Sequence, residues 1–393
     1  MTVESARAPV NQQHQIPTRT ARPVRICFLI DELAQAGTES QLLALIRHLD
    51  RSLVEPHLCL LRGDSEESQR LEPGDCPVLR LGARSLKHPR TILKAWQFAR
   101  YLRQQRIDIL QLYFPDSTYF GALVGMLAGV RHLIRTRNNL GHWLTPVHRW
   151  LGRLLNPITT LTIANCEAAR QALLESEKPQ PDRVVVVENG VDLERFEHIP
   201  TLTPTRPPFR RLGVIANLRP VKGLDILVES TKQLCTAFPD MTVRIAGEGP
   251  SRDELQRQIS GMGLQNIVTL CGSVSDIPGF LSEVDITVQP SRAEGMSNAL
   301  LEQMASGRAI IATSVGANAR LLSHEQSGLL VPPEDPHQLA RAIQRFLTNP
   351  SLAIRCATHA RASVRADHSR QAMVRRFEAL YTNLKRRQHQ FGA

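Results

Sequence analysis

The sequence predicts an α/β chain of two doubly wound parallel sheets that face each other across a cleft. Three observations lead there. Short apolar runs alternate with amphipathic segments along most of the chain, the pattern of strands buried on both faces by crossover helices. The alternation breaks once, at HIPTLTPTRPPFR (residues 198–210), where four prolines and little apolar periodicity mark a linker. At 393 residues the chain is also too long for one ordinary core. Ligands of such sheets lie beyond the carboxyl ends of the strands, so two facing domains share one binding cleft.

Residues 1–22 are polar, without the apolar core of a signal segment, and read as a disordered tail. The first domain, 23–198, opens with a strand at Val24–Ile30. Its helix, 39–49, gathers Leu42, Leu43, Leu45, Ile46 and Leu49 on one side. Strands follow at 57–61, 78–81, 107–114, 133–137, 161–164 and 184–187. Helices at 91–104, 117–127, 147–155 and 167–175 lie between most of them. The apolar segment 119–130 falls short of the ~20 apolar residues that span a bilayer and is expected as a buried core helix. After the linker, 199–210, the second domain runs over 211–364. Its strands are expected at 212–217, 243–246, 267–271, 286–289, 310–313 and 329–331. Its helices are expected at 224–238, 252–260, 277–283, 298–306 and 337–347, and a helical region from 351 to 387 closes the chain.

Hydrophobic content of 42% and charged content of 22% place the chain among globular proteins. The seven cysteines are scattered, mostly in apolar runs, with no CxxC and no His/Cys cluster. They suit buried thiols in a reducing compartment and argue against a zinc site. A formal charge of +11 allows nucleic acid or an anionic membrane surface as partner. Aromatic residues, at 5% and not interleaved with basic ones, argue against a stacking platform for single strands.

The most informative stretch is SRAEGMSNALLEQMASGRAIIATSVG, residues 291–316. It reads as a strand end, a loop holding Glu294 and Gly295, a helix from Ser297 or Asn298 that stops at Gly307, and a buried strand. Glu294 in the loop and Glu302 in the second helical turn then approach one ligand near the helix N-terminus. That end exposes unpaired N–H groups and the positive end of the helix dipole, which suits a phosphate. Two carboxylates there make sense if they hold neutral hydroxyls, those of a sugar and a ribose. Taken alone, such a pair reads more simply as two solvated glutamates beside an ordinary helix.

Other short motifs sit at strand ends. Ala36-Gly37-Thr38-Glu39 opens a helix after the first strand, a small turn that lets backbone approach a substrate or phosphate. It is not GxGxxG, which weakens a dinucleotide reading. Arg219-Pro220-Val221-Lys222-Gly223 can clamp a diphosphate, the Arg as a fork and the Lys as a point charge. Gly247-Glu248-Gly249-Pro250 ends the next strand, and Asn189-Gly190-Val191-Asp192 ends the last strand of the first domain. Each is also readable as a plain turn.

In this order, NGVD, RPVKG, AGEGP and SRAEGMSNALLEQMASG, the motifs resemble retaining glycosyltransferases of family 4 (group 1), of the polysaccharide-assembling type. The resemblance runs from Val24 to about Arg387. It implies the GT-B fold: two Rossmann-like domains, the first binding an acceptor and the second a nucleotide sugar, with the last helix (365–393) packing back on the first. It implies hexosyl transfer with retention of configuration. Glu294 would meet the transferred sugar's hydroxyls and Glu302 the ribose. The backbone of Gly295, Met296, Ser297 and Asn298 would face sugar and phosphates, Arg219 and Lys222 would bind the diphosphate, and Gly37 and Gly247 would line the donor site. Arg135-Thr136-Arg137-Asn138-Asn139-Leu140-Gly141-His142-Trp143 resembles a segment of polysaccharide-assembling members. Arg135, Asn138 and His142 thereby become acceptor-side candidates, with His142 joining Arg219, Lys222 and Glu294 at the reacting centre.

One departure stands out. Where family members often carry Gly-Gly and a following Glu, this chain has Gly316-Ala317-Asn318-Ala319-Arg320. Any contact of that Glu is lost, and donor preference can change with it. The implied mechanism is a front-side displacement in which Arg219, Lys222 and the helix start near Asn298 stabilise the leaving diphosphate. No Asp-x-Asp pair is present, and no metal or other cofactor is expected. A nucleotide-sugar 2-epimerase of the same fold, a non-catalytic nucleotide-sugar-binding subunit and a nucleic-acid binder remain as alternatives. Arg131, Arg135, Arg137, Arg149 and Arg153 suggest a lipid-linked acceptor at an anionic membrane face, on the cytoplasmic side.

Overall fold

In the computed structural model, residues 22–83, 85–141, 144–203 and 209–391 are described. The expected tail apart from Arg22, residues 204–208 of the linker, and His142 lie outside them. The first half folds as β1 (Val24–Ile30), α1 (Gly37–His48), β2 (Val54–Leu60), α2 (Glu66–Leu71), β3 (Val78–Arg80), α3 (Thr91–Gln104), β4 (Ile109–Leu112), α4 (Pro115–Ala128), β5 (His132–Arg137), α5 (Pro146–Leu155), β6 (Leu161–Ala164), α6 (Glu167–Ser176) and β7 (Val184–Val186). These strands form one parallel sheet in the order β3-β2-β1-β4-β5-β6-β7. Strand β1 shows why: Ile26, Phe28 and Ile30 enter one core while Cys27 and Leu29 enter another on the opposite face.

The second half follows as β8 (Arg211–Ile215), α7 (Leu224–Leu234), β9 (Thr242–Ala246), α8 (Arg252–Gly261), β10 (Val268–Gly272), α9 (Ile277–Ser282), β11 (Ile286–Gln289), α10 (Asn298–Ser306), β12 (Ala309–Thr313), α11 (Asn318–Leu321), β13 (Leu329–Val331), α12 (Pro336–Thr348), α13 (Pro350–Asp367) and α14 (Arg370–Phe391). Its six parallel strands run β10-β9-β8-β11-β12-β13. In each sheet the first strand lies centrally, and the connections leave it in opposite directions. The crevices at β1/β4 and β8/β11 are therefore where a ligand fits. The loops carrying Gly37, Lys222 and Glu294 start from β1, β8 and β11.

The closing helices divide between the halves. Helix α13 packs on α10 and β12, the chain crosses at His368–Ser369, and α14 lies on α1, β1 and β2. There Tyr381, fully buried, donates its hydroxyl to Gln111 Oε1 of β4 at 2.7 Å, and Gln111 Nε2 donates to the Tyr113 hydroxyl at 2.7 Å. Such a satisfied pair fixes the angle at which α14 crosses the sheet.

Three expectations need correction. The short helices α2 and α11 have too few turns to leave a periodic signal. Strand β4 is half the predicted 107–114. It starts after Asp108, whose carboxylate accepts from the Arg25 amide at 3.0 Å, and ends before Phe114, which turns into α4 with φ +62°. Segment 119–130 is only half a core helix: Phe120 and Val124 are buried, but Leu123, Met126 and Leu127 face outward. Among the described residues no helix is long and apolar enough to cross a membrane.

Candidate active site

The sheets face each other across a cleft of about 680 Å³. Gly37, Thr38 and Gln41 at the start of α1, Asn138 and Asn165 after β5 and β6, and the 189–192 turn form the first-domain wall. Lys222, Gly247, Glu294 and the first two turns of α10 form the other.

Glu294 is held in the cleft by three side-chain hydrogen bonds. Its Oε1 accepts from Lys222 Nζ at 2.6 Å, Ser291 Oγ at 2.7 Å and Gln289 Nε2 at 3.1 Å. Its side chain is only 9% exposed, so the contact with Lys222 works at low dielectric. All three bonds fall on Oε1, which leaves Oε2 for a ligand. The loop is held from two sides. Gly316, at φ +53°, lies so close to the Glu294 carbonyl that a Cβ would overlap it, and Ala317 N donates to Gly295 O at 2.9 Å. Gly295 in turn packs on the Asn138 backbone of the first domain, where a Cβ would come within 2.7 Å of the Asn138 carbonyl oxygen.

Helix α10 starts where the sequence places it and ends on Gly307 in the left-handed conformation, φ +66°. Ser297 caps it: its hydroxyl accepts from Leu300 N at 3.3 Å, and its carbonyl accepts from Leu301 N. The amides of Asn298 and Ala299 make no hydrogen bond among the described residues, and both residues line the cleft. With the helix dipole they constitute a site for negative charge.

Asn298 also ties the domains together. Its Nδ2 donates to the Gly37 carbonyl at 2.9 Å, and its Oδ1 accepts from Asn189 Nδ2 at 2.8 Å and Gln41 Nε2 at 3.1 Å. Met296 accepts from the Asn189 amide through Sδ at 3.2 Å. The start of α10 is thereby docked against the glycine turn of α1.

Glu302 stands one turn deeper, its carboxyl without a hydrogen-bond partner among the described residues, and burial pushes its pKa up to about 7 against the opposing pull of Arg195 and Arg370. Arg370 is already engaged by Asp192 at 2.9 Å. An unpaired carboxyl walled by two guanidinium groups is ready to take hydrogen bonds from neutral hydroxyls.

The remaining expected residues fall in different places. Gly247 lines the cleft. Arg219 is exposed, stands outside the cleft lining, and makes no side-chain bond among the described residues. Arg135 does not reach the cleft. It is buried, donating to Gly152 O at 3.1 Å, to Asn156 and to Glu177, and Arg137 shares Glu177 at 3.0 Å. These two arginines line a separate small cavity of about 60 Å³ beside Phe114 and Tyr119. Of the five arginines read as one basic face, Arg135 and Arg137 are therefore internal, because Glu177 draws both inward.

Sequence reading missed several cleft residues. Gln41, Asn165 and Arg370 carry no local motif, and Asn165 Oδ1 is buried with no hydrogen-bond partner among the described residues. Asn189 lay in a noted motif, yet only the tertiary contact with Asn298 gives it a task. Arg320, the departure from the family pattern, pairs with Glu188 across the domain seam, beside His368.

Comparison with known proteins follows the same division. A model described as Glycosyltransferase Family 4 matches residues 36–195, and one described as Glycosyl transferases group 1 matches residues 210–349. The lipopolysaccharide core biosynthesis mannosyltransferase LpcC of Rhizobium leguminosarum bv. viciae is 30% identical over 51% of this chain and 59% of its own length. The alpha-D-kanosaminyltransferase of Streptomyces kanamyceticus is 31% identical over 42% of this chain and 43% of its own. The chain thus spans about half the length of these relatives. The UDP-Gal:alpha-D-GlcNAc-diphosphoundecaprenol alpha-1,3-galactosyltransferase of Escherichia coli is 25% identical over 65% and 70%. Among solved structures, Anabaena HepE in complex with UDP and glucose superposes with a TM-score of 0.80 at 20% identity, covering 92% of this chain and 100% of that one. Sucrose-phosphate synthase from Thermosynechococcus elongatus gives 0.75 at 19% identity, covering 92% and 99%. With one of these models matched in each half, and with the two-sheet GT-B architecture that holds both, the chain belongs to the group 1, family 4 glycosyltransferases.

Proposed function

We propose that the chain transfers a hexosyl unit from a nucleoside-diphosphate sugar to a glycan or lipid-linked acceptor, with retention of configuration at the anomeric carbon. The observation that carries this reading is the Lys222–Glu294 pair beside the two unpartnered amides at the start of α10. Positive charge and a hydroxyl-binding carboxylate stand side by side there, as a sugar diphosphate requires. In the reaction, the bond from the anomeric carbon to the diphosphate oxygen breaks, and the acceptor oxygen bonds to the same face of that carbon. The acceptor proton passes to the departing phosphate oxygen. Lys222, the Asn298 and Ala299 amides, and Arg219 once it folds over the donor stabilise the charge that develops on the diphosphate. Glu294 orients the sugar through Oε2, and Glu302 takes the ribose hydroxyls. This route uses no metal ion.

The relatives' names support this reading. One is named as a mannosyltransferase, and another for a UDP-sugar donor and a diphosphoundecaprenol acceptor. The free cysteines, five of them buried, suit a reducing cytoplasm where nucleotide sugars are made. His142 belongs to the acceptor side of the proposal by resemblance alone.

The test is a thermal-shift panel of UDP, GDP, ADP and CMP with their sugars, followed by transfer assays with the sugar that binds. One nucleotide should raise the melting temperature, and the rise should shrink in Glu302→Ala. Glu294→Gln should retain the nucleotide shift and lower turnover by about 10²–10³. Binding with no turnover on any lipid-linked or glycan acceptor would favour a non-catalytic subunit instead.

A further inference from the structure

The large apolar side chains that remain exposed among the described residues all stand on α3, α4 and α5, the helices that cover one face of the first sheet. Helix α5 is the clearest. Val147, Trp150 and Leu154, 63%, 59% and 54% exposed, fall within about 60° of arc at 100° per residue. Arg149 and Arg153 flank that stripe, while Gly152 and Leu155 on the other side are buried. On α3, Ile92, Leu93 and Trp96 lie within about 100°, and Arg100 and Arg103 continue the same arc toward the helix end. On α4, Leu123, Met126 and Leu127 take positions i, i+3 and i+4.

The three helices lie side by side. Phe98 of α3 stacks on Phe120 of α4 with ring centroids 6.0 Å apart, and Tyr119 of α4 stacks on His148 of α5 at 6.3 Å. Their outward residues therefore make one surface, with a tryptophan on either flank. Monomeric soluble domains rarely leave such a surface open.

Charge selects the occupant. Between residues 85 and 160 stand eleven Lys and Arg against two Asp and no Glu, which is nine of the chain's formal +11. Both carboxylates are neutralised elsewhere, Asp108 by Arg22 at 2.8 Å and Asp116 by Arg62 at 2.5 Å. Two of the cations, Arg135 and Arg137, are internal, and most of the others are exposed. Apolar stripes with tryptophans, bordered by arginines and free of acidic residues, match the interface of an anionic bilayer: aromatic rings at headgroup depth, cations against lipid phosphates.

We propose that the α3–α4–α5 face is a docking surface for an anionic lipid bilayer, into which Trp96 and Trp150 insert. The inference does not depend on which donor the cleft binds. The full chain is sedimented with vesicles of phosphatidylcholine alone and with phosphatidylglycerol added, alongside Trp96→Glu/Trp150→Glu. Wild type should bind the mixed vesicles, bind phosphatidylcholine weakly, and lose several-fold in affinity as salt rises. The double variant should bind about tenfold or more weakly, with its melting temperature and its nucleotide-induced shift unchanged. Intrinsic tryptophan emission should move to the blue on mixed vesicles in wild type and much less in the variant. Equal binding by wild type and the variant overturns the proposal, because charge alone would then hold the protein. Equal binding to neutral and anionic vesicles overturns it too. So does a lipid-free dimer that the double variant abolishes, since a second copy would then cover the face.

Discussion

Nucleotide-sugar affinity should depend on pH through Glu302. In the free protein its carboxyl titrates at about 7, raised by burial, so it is largely protonated at pH 6 and largely ionised at pH 8. Ribose hydroxyls donate to the carboxylate and stabilise the ionised form, so binding returns the pKa toward the ordinary carboxyl value, about 4.3. The sign follows from linkage. Affinity is full above the free-state pKa and falls as pH drops below it, because protons then compete with the ribose. The apparent Kd should be about tenfold higher at pH 6 than at pH 8, approaching a slope of one proton per nucleotide sugar. A nucleotide sugar is the right probe, since its diphosphate carries no titrating proton near neutrality. Isothermal titration in two buffers of different ionisation enthalpy should find about half a proton released at pH 7. Glu302→Gln should bind more weakly at pH 8, by about tenfold, with a Kd that stays flat from pH 6 to 8. A wild-type Kd that is flat across this range, or a pH dependence that survives in Glu302→Gln, would refute the assignment of Glu302 to the ribose.

Three further outcomes are expected. Gly316→Ala forces a left-handed residue and a clash onto the Glu294 carbonyl, so it should lower stability by about 2 kcal/mol or more and weaken nucleotide-sugar binding; an unchanged melting temperature would mean the loop yields freely. Tyr381→Phe leaves Gln111 Oε1 without its donor in a buried site and should cost about 1–3 kcal/mol in urea unfolding, with activity kept at low temperature. Arg320→Glu restores the residue type common in the family but sets a second carboxylate against Glu188. It should lower stability by about 1 kcal/mol, the effect shrinking in high salt; a rise in melting temperature would remove Arg320 from the seam.

The elements most legible in the sequence were those with a repeating period. Strand Val24–Ile30, helices Thr91–Gln104 and Asn298–Ser306, and the stop at Gly307 follow from local pattern and from a residue suited to positive φ. Glu294 and Glu302 were legible as a pair because one short loop and one helix carry both. The partners that define them were not. Lys222 comes from 72 residues earlier, Gln41 and Asn138 from the other domain, and Arg370 from a helix beyond the second domain. Such groups become neighbours only through strand order, which places the loops after β1, β8 and β11 at the same pair of sheet edges. Arg135 and Arg137 illustrate the reverse case. Residues in a basic run look exposed, but Glu177, forty residues downstream, buries both.

By itself, then, the sequence determined the fold class, the two-domain division and the capped start of the Asn298–Ser306 helix, because periodicity, prolines and caps act over a few residues. Only the tertiary structure decided that Asn298 joins the domains, that the Glu302 carboxyl is buried with no hydrogen-bond partner among the described residues, and that three helices turn an apolar, arginine-bordered face outward. Those features depend on which surfaces are left once the sheets have packed, and no local window contains that information.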